Sequence, residues 1–256
     1  MAATTLERDG VALSYEIHGK PSSCTPLFLT HGYSASSAMW RPNLGALAER
    51  RRVVTWDVRG HGRSGSPREP HLYSEEASVA DMAAILDACG IERAAIGGLS
   101  LGGYLSLAFH LAHPKRVVAL LLFDTGPGYR QDDARARWNA FALSRAEAFE
   151  REGLVALPGS PEVVGSEHDP AGLALAARGI LTQRDARVID SLPAIRVPTL
   201  VVVGAKDTPF LAATDFMAAK IPGAVKLVIE DAGHASNIDQ PRVFDEAVNA
   251  FLERLD

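Results

Sequence analysis

The chain has little of what would build a disulfide scaffold, a membrane span or a polyanion-binding surface. Only two of its 256 residues are cysteine, Cys24 and Cys89. They cannot make a disulfide framework, and their separation matches no zinc-ligand spacing, so a reducing, cytoplasmic setting is the expectation. The longest apolar run, VVALLLF at 117–123, falls far short of the roughly twenty residues that cross a bilayer. The first residues, MAATTLERDGVALSYEIHG, have neither the basic start nor the continuous apolar segment of a signal peptide, and no membrane association is expected. Basic charge is not in excess: Lys and Arg total 26 against 31 Asp and Glu, a formal net charge of −5. Such a balance offers no general attraction for phosphate backbones or anionic lipid, which removes nucleic acid from the expected partners.

What is present is ordinary globular material, 47% hydrophobic and 22% charged, in a chain long enough to bury roughly three quarters of its unfolded surface. Compact apolar runs at 26–30, 52–57, 94–99, 117–123, 199–204 and 225–230 read as buried strands. They alternate with amphipathic helical patterns at 39–50, 75–89, 101–113, 209–220 and 241–254, the order that βαβ units and a mostly parallel sheet require. The opening differs. TTLER and VALSYEI flank Asp9-Gly10, a dipeptide suited to a tight turn, so the first strands form an antiparallel hairpin. The reading totals about eight strands and five or six helices.

Between Thr125 and Pro193 the alternation stops, and charged helical patterns such as DDARARWNAFALSRAEAFEREG take over, broken near Pro158, Pro161 and Pro170. This predicts a helical insertion over 125–194 within a core made of 1–124 and 195–256. It serves either as a cap over a site or as a solvated excursion.

The chemistry-bearing pattern begins where AAIGGL runs into Gly98-Leu99-Ser100-Leu101-Gly102 and then a helix. G-x-S-x-G in a strand-turn-helix context forces the serine into a sharp, strained turn, and glycine is needed on both sides because side chains there would meet neighbouring backbone. The product is an exposed hydroxyl at a helix N-terminus, where the Leu101 amide can donate to a developing oxyanion. A serine needs a base and a group to orient that base. Asp207 follows the strand at 199–204 and His234 follows the strand at 225–230, both at the carboxyl edge where open α/β sheets build their sites. The chain order Ser100, Asp207, His234 is that of a Ser-acid-His triad. Asp124, directly after the strand at 117–123, is the rival acid. His31-Gly32-Tyr33 offers the second oxyanion donor, the Tyr33 amide, with His31 as a hydrogen-bonded scaffold. Asp57, Arg59 and His61 in DVRGHGRSG shape a loop, and His18, His71, His110, His113 and His168 are read as solvated.

Together HGY, DVRGHGRSG, GLSLGG, GAKD and AGH, in that order from 31 to 234, resemble the α/β-hydrolase superfamily, and within it the enol-lactonase, esterase and perhydrolase-like branch. The resemblance implies an α/β-hydrolase fold, a mostly parallel eight-stranded sheet flanked by helices with an inserted helical cap. It also implies Ser100 as nucleophile, Asp207 as acid, His234 as base, and the Tyr33 and Leu101 amides as oxyanion hole. The expected activity is hydrolysis of a small-molecule ester or lactone through an acyl-enzyme, with no cofactor and no metal. Peracid formation by a perhydrolase, or binding of a small ligand without turnover, are the alternatives.

A dinucleotide-binding reading of Gly97, Gly98, Gly102 and Gly103 fails, because Ser100 puts a side chain where the pyrophosphate needs bare backbone. For specificity, Trp138, Phe141 and Phe149 in the insertion either line an apolar pocket or form the cap's own packing surface. Tyr33, Tyr104 and Phe210 stand nearer the motif loops. The expected pocket residues are Trp138, Phe141 and Phe210.

Overall fold

The structure, a computed structural model, describes residues 3–163 and 167–256. Its centre is one eight-stranded sheet: β1 (Thr4–Arg8), β2 (Val11–His18), β3 (Leu27–Thr30), β4 (Val53–Trp56), β5 (Ala94–Leu99), β6 (Val117–Phe123), β7 (Thr199–Gly204) and β8 (Val225–Ile229). The spatial order is β1-β2-β4-β3-β5-β6-β7-β8. β1 and β2 pair antiparallel, β2 joins β4 antiparallel, and the remaining pairs are parallel. The hairpin turns on Asp9 and Gly10, at φ 52° and 73°, the two left-handed residues that a turn matched to strand twist requires. Every residue of β3, β4 and β5 is buried, which is why these strands read as unbroken apolar runs instead of alternating ones.

The helices among the described residues are α1 (Arg41–Leu47), α2 (Glu75–Ala88), α3 (Leu101–Ala112), α4 (Asp132–Glu152), α5 (Pro170–Ala176), α6 (Arg187–Ser191), α7 (Thr208–Lys220), α8 (Ser236–Asp239) and α9 (Pro241–Leu252). α1, α2, α3, α7 and α9 are the expected five, with ends trimmed by up to three residues. Strand side chains alternate between two helix layers. Phe28, Ile96, Leu120 and Leu122 share a core with Ile85 of α2 and Leu105 and Phe109 of α3. Leu29, Ala95, Leu121 and Phe123 face the other way, onto Leu47 of α1 and Phe244 and Val248 of α9.

α4, α5 and α6 all lie between β6 and β7, where the sequence departs from strand-helix alternation. α4, α5 and the turn after α5 gather a small core from Ala146, Phe149, Leu173, Ala174 and Ala177, whereas Val188 and Ile189 of α6 join the core under the sheet. α5 starts at Pro170, with the Asp169 carboxylate accepting from the Ala171 amide at 3.0 Å; proline at the first helical position needs no N–H there. Residues 164–166 of the expected insertion, and the first two of the N-terminal stretch, lie outside the described residues. No helix among the described residues is long and apolar enough to cross a membrane.

Three of the histidines read as solvated are not. His18 is buried in β2 with Nε2 3.3 Å from Thr55 Oγ1. His110 is buried because α3 is enclosed on every side, each residue from 101 to 110 being buried. His168 has both ring nitrogens buried without a hydrogen-bond partner, and burial pushes its pKa down to about 4.

Under the carboxyl edge of β4, the loop of residues 57–65 is held by an internal ion pair. The guanidinium of Arg59, fully buried, donates from Nε to Asp81 Oδ2 at 2.5 Å and from Nη2 to Asp81 Oδ1 at 2.8 Å, and Arg8 adds a third contact to the same carboxylate at 2.7 Å. One acid on α2 therefore ties the N-terminal hairpin to this loop. Removing one partner of a buried pair strands the other charge. Asp81→Ala is expected to lower unfolding free energy by about 3–5 kcal/mol in urea denaturation, and a loss below about 1 kcal/mol would contradict the structural role assigned to the pair.

Candidate active site

The turn from β5 into α3 is made possible by missing side chains. A Cβ on Gly98 would lie 2.5 Å from Gly102 C and 2.6 Å from Thr30 O, and one on Gly102 would strike Thr30 O outright. With both absent, Ser100 adopts φ 55°, ψ −115°, a region costly for a non-glycine residue. Its backbone is pinned there, the amide donating to Phe123 O at 2.9 Å and the carbonyl accepting from Tyr104 N at 3.1 Å and Thr125 Oγ1 at 2.6 Å. Strain gathers at this edge. Of the five described non-glycine residues at positive φ, four (Ser34, Ser100, Asp124 and Asp231) follow β3, β5, β6 and β8.

Asp207 and His234 arrive from β7 and β8. His234 Nδ1 is 2.9 Å from Asp207 Oδ2, with the carboxylate buried and the imidazole half-buried. Burial of the ring opposes the charged form. The hydrogen bond and charge of Asp207, with Asp124 and Glu162 beyond it, outweigh burial and hold the His234 pKa above its ordinary 6.5. Phe210, at the start of α7, stacks on the imidazole at 5.1 Å between centroids and 24° between planes. Among the described residues no hydrogen bond joins Ser100 Oγ to His234.

Asp124, the rival acid, serves other partners. Its Oδ1 accepts from Gly204 N at 2.8 Å and its Oδ2 from Ser236 Oγ at 2.5 Å. Burial pushes its pKa up to about 7 in spite of these donors.

The loop after β3 lies against the serine: a Cβ on Gly32 would sit 3.5 Å from Ser100 Cβ. The next residue, Tyr33, is anchored by its side chain, Oη donating to Leu173 O at 2.9 Å and the ring packing edge-on against Phe149. His31 is the scaffold residue expected: Nδ1 bonds Gly32 O at 2.7 Å, Nε2 accepts from Val58 N at 3.0 Å, and burial holds its pKa below 6.5. The Leu101 amide opens α3, where the first N–H groups have no acceptor within the helix.

Beside Ser100 lies a cavity of about 80 Å³ lined by Leu101, Tyr104, Trp138, Gln183 and Phe210 among others, and the described residues in its wall include no Lys, Arg, Asp or Glu. Trp138 and Phe210 therefore stand where the pocket residues were expected. Phe141 does not: it is 52% exposed on α4 and leans on Trp138 from outside. The buried stripe of α4 runs through Ala142, Ala146 and Phe149, and Phe141 lies beside it on the exposed flank. Phe149 belongs to the insertion's own core. Gln183, Thr125 and Glu162 went unremarked in the sequence because none sits in a motif or a periodic apolar pattern.

The chain as a whole has counterparts among known proteins. The pattern of the alpha/beta hydrolase family matches residues 27–247. The chain belongs to that family. Its relatives include 3-oxoadipate enol-lactonase 1 of Acinetobacter baylyi, 30% identical over 267 residues that take in 97% of this chain and 96% of that one. Among solved structures, a thermophilic esterase from Thermogutta terrifontis superposes with a TM-score of 0.84 at 27% identity, covering 100% of this chain and 99% of its own. The enol-lactonase from Burkholderia xenovorans superposes with 0.79 at 27% identity, over 98% and 100%. The α/β-hydrolase expected from the sequence is thus the fold found, on the enol-lactonase and esterase side of the family.

The Asp207–His234 contact makes a measurable statement about this α/β-hydrolase. NMR titration of the His234 ring is expected to give a midpoint above 6.5, and Asp207→Asn to lower it. A native midpoint at or below 6.5 would mean that the carboxylate does not support the imidazolium.

Proposed function

We propose that the protein is a serine hydrolase cleaving carboxylic esters or lactones through an acyl-enzyme, with Ser100 as nucleophile, His234 as base and Asp207 as the acid that orients it. The observation that carries this reading is the hydrogen bond between His234 Nδ1 and the buried Asp207 carboxylate, set at the same sheet edge as a serine held at positive φ. With Nδ1–H committed to Asp207, the neutral ring presents Nε2 as the basic nitrogen. His234 takes the Ser100 proton as Oγ attacks the carbonyl, and the Tyr33 and Leu101 amides receive the oxyanion. The proton then passes to the leaving alcohol, and water activated by His234 releases the acid.

Residues 125–194 act in this reading as a cap over a core of 1–124 and 195–256. Support comes from Trp138, Leu181 and Gln183, which the insertion places in the wall of the cavity beside Ser100. A small, uncharged wall favours a neutral substrate with a modest group in this cavity, since a buried charge without a partner is costly. The names of the enol-lactonase and esterase relatives support an ester-type bond, and two unpaired cysteines suit a cytoplasmic setting.

Ser100→Ala is expected to abolish both hydrolysis of small aryl esters and labelling by a fluorophosphonate probe; retained labelling would remove Ser100 from the nucleophile's place. The acid is decided by two variants compared in one assay. Asp207→Asn should lower kcat by about 10⁴-fold, as in serine proteases. Asp124→Asn should cost less than about tenfold, because an amide can still accept from Gly204 N and donate to Ser236 Oγ. The reverse order would assign the acid to Asp124.

A further inference from the structure

The cavity beside Ser100 holds one strong hydrogen-bond donor that the chemistry above does not use. Most polar side chains in its wall are already committed. Thr125 Oγ1 donates to Ser100 O, Tyr104 Oη to Glu75 Oε2 at 2.7 Å, and Trp138 Nε1 to Leu181 O at 2.8 Å. Tyr129 stands at the rim, 39% exposed.

Gln183 is different. Its backbone is clamped on both polar groups by one side chain of α4: Gln183 N donates to Asn139 Oδ1 at 2.8 Å, and Asn139 Nδ2 donates to Gln183 O at 2.8 Å. Its side chain is 92% buried by the residue's 8% exposure, and Oε1 accepts from the Tyr129 amide at 3.2 Å. A backbone N–H can only donate, so this contact settles which end of the amide is oxygen. The NH₂ group is the end left for the cavity, and it donates to no group among the described residues. Gly128 keeps the loop against the amide: at φ 90° it has no Cβ, and one there would sit 2.9 Å from Gln183 Oε1.

A pocket that is otherwise apolar fixes its ligand's orientation through a few placed polar groups. A clamped NH₂ without an acceptor among the described residues, on a residue that lines the cavity, is such a group, free to donate to water or ligand. We infer that Gln183 is a specificity residue whose side-chain NH₂ donates to an acceptor oxygen, a second carbonyl or an ether, carried on the part of the ester that fills this cavity. The inference rests on the ester-hydrolase reading above and deepens it from any small neutral ester to one bearing an oxygen away from the scissile bond.

The test uses matched esters, with pentanoate against 4-oxopentanoate on the acyl side and butyl against 2-methoxyethyl on the alcohol side. Each pair is assayed in the wild type, Gln183→Met and Gln183→Glu. Comparing the kcat/KM ratio within each pair across enzymes cancels the intrinsic reactivity of the esters. Gln183→Glu keeps an acceptor for the Tyr129 amide, and Gln183→Met removes the donor without bringing a charge into the cavity. For at least one pair, both variants should lower the ratio by roughly 3- to 10-fold, the worth of one neutral hydrogen bond, whatever their absolute turnover of the unsubstituted ester. A change below threefold in both pairs, in enzyme that still labels and turns over, overturns the inference alone. A wild type that neither labels nor hydrolyses any of the four esters overturns the parent reading, and this one with it.

Discussion

Everything at the carboxyl edge of this sheet depends on how closely two backbones approach at the end of β5. Gly98 and Gly102 lie so near Thr30 O and each other that no side chain fits at either position. That contact brings the start of α3 under the sheet and forces the residue between them out of the ordinary backbone regions. The strain in Ser100 is held by bonds from three directions, to Phe123, Tyr104 and Thr125. Relax the approach and the hydroxyl would lose its fixed place at the helix N-terminus, leaving the other site residues with nothing fixed to converge on.

The convergence is a matter of topology. Parallel strands in the order β3-β5-β6-β7-β8 bring five loop starts to one edge, and each supplies a different group: the 31–33 turn, Ser100, Asp124, Asp207 and His234. Two of those groups are carboxylates on neighbouring strands, and their surroundings separate them. Asp207 faces an imidazole, whereas Asp124 faces a hydroxyl and a backbone amide in near-complete burial and is pushed up to about 7. One acid thereby supports the charged form of an imidazole, and the other braces the β7 and α8 loops.

What could be read from the sequence was whatever has a period or a motif. The buried runs named the strands because enclosed strands are apolar throughout, and Asp9-Gly10 named the hairpin because few dipeptides accept two positive φ values. Gly98, Ser100 and Gly102 were legible as a tight turn because their spacing is sterically required, and Asp207 and His234 as neighbours of one sheet edge because each follows a strand end. The insertion resisted. Phe141 and Trp138 are three residues apart on one helix, yet one is exposed and the other faces the cavity, a difference set by how α4 is rolled against 177–183, which no local pattern encodes. Gln183 was invisible for the same reason, since its orientation depends on Asn139, more than forty residues earlier in the chain. His110 was misjudged because the enclosure of α3 comes from three separate segments folding over it.

Tyr33 links the two parts of the molecule in a way that bears on how such proteins change over time. Its main chain belongs to the turn beside Ser100, while its hydroxyl and ring are held by Leu173 and Phe149 of the insertion. A lineage could not exchange the insertion for a different one without also providing a new seat for this tyrosine, or else the turn beside the serine would lose its support. Diversification of the inserted helices and upkeep of the turn beside the serine are therefore joined through this side chain, which favours replacements that rebuild that seat.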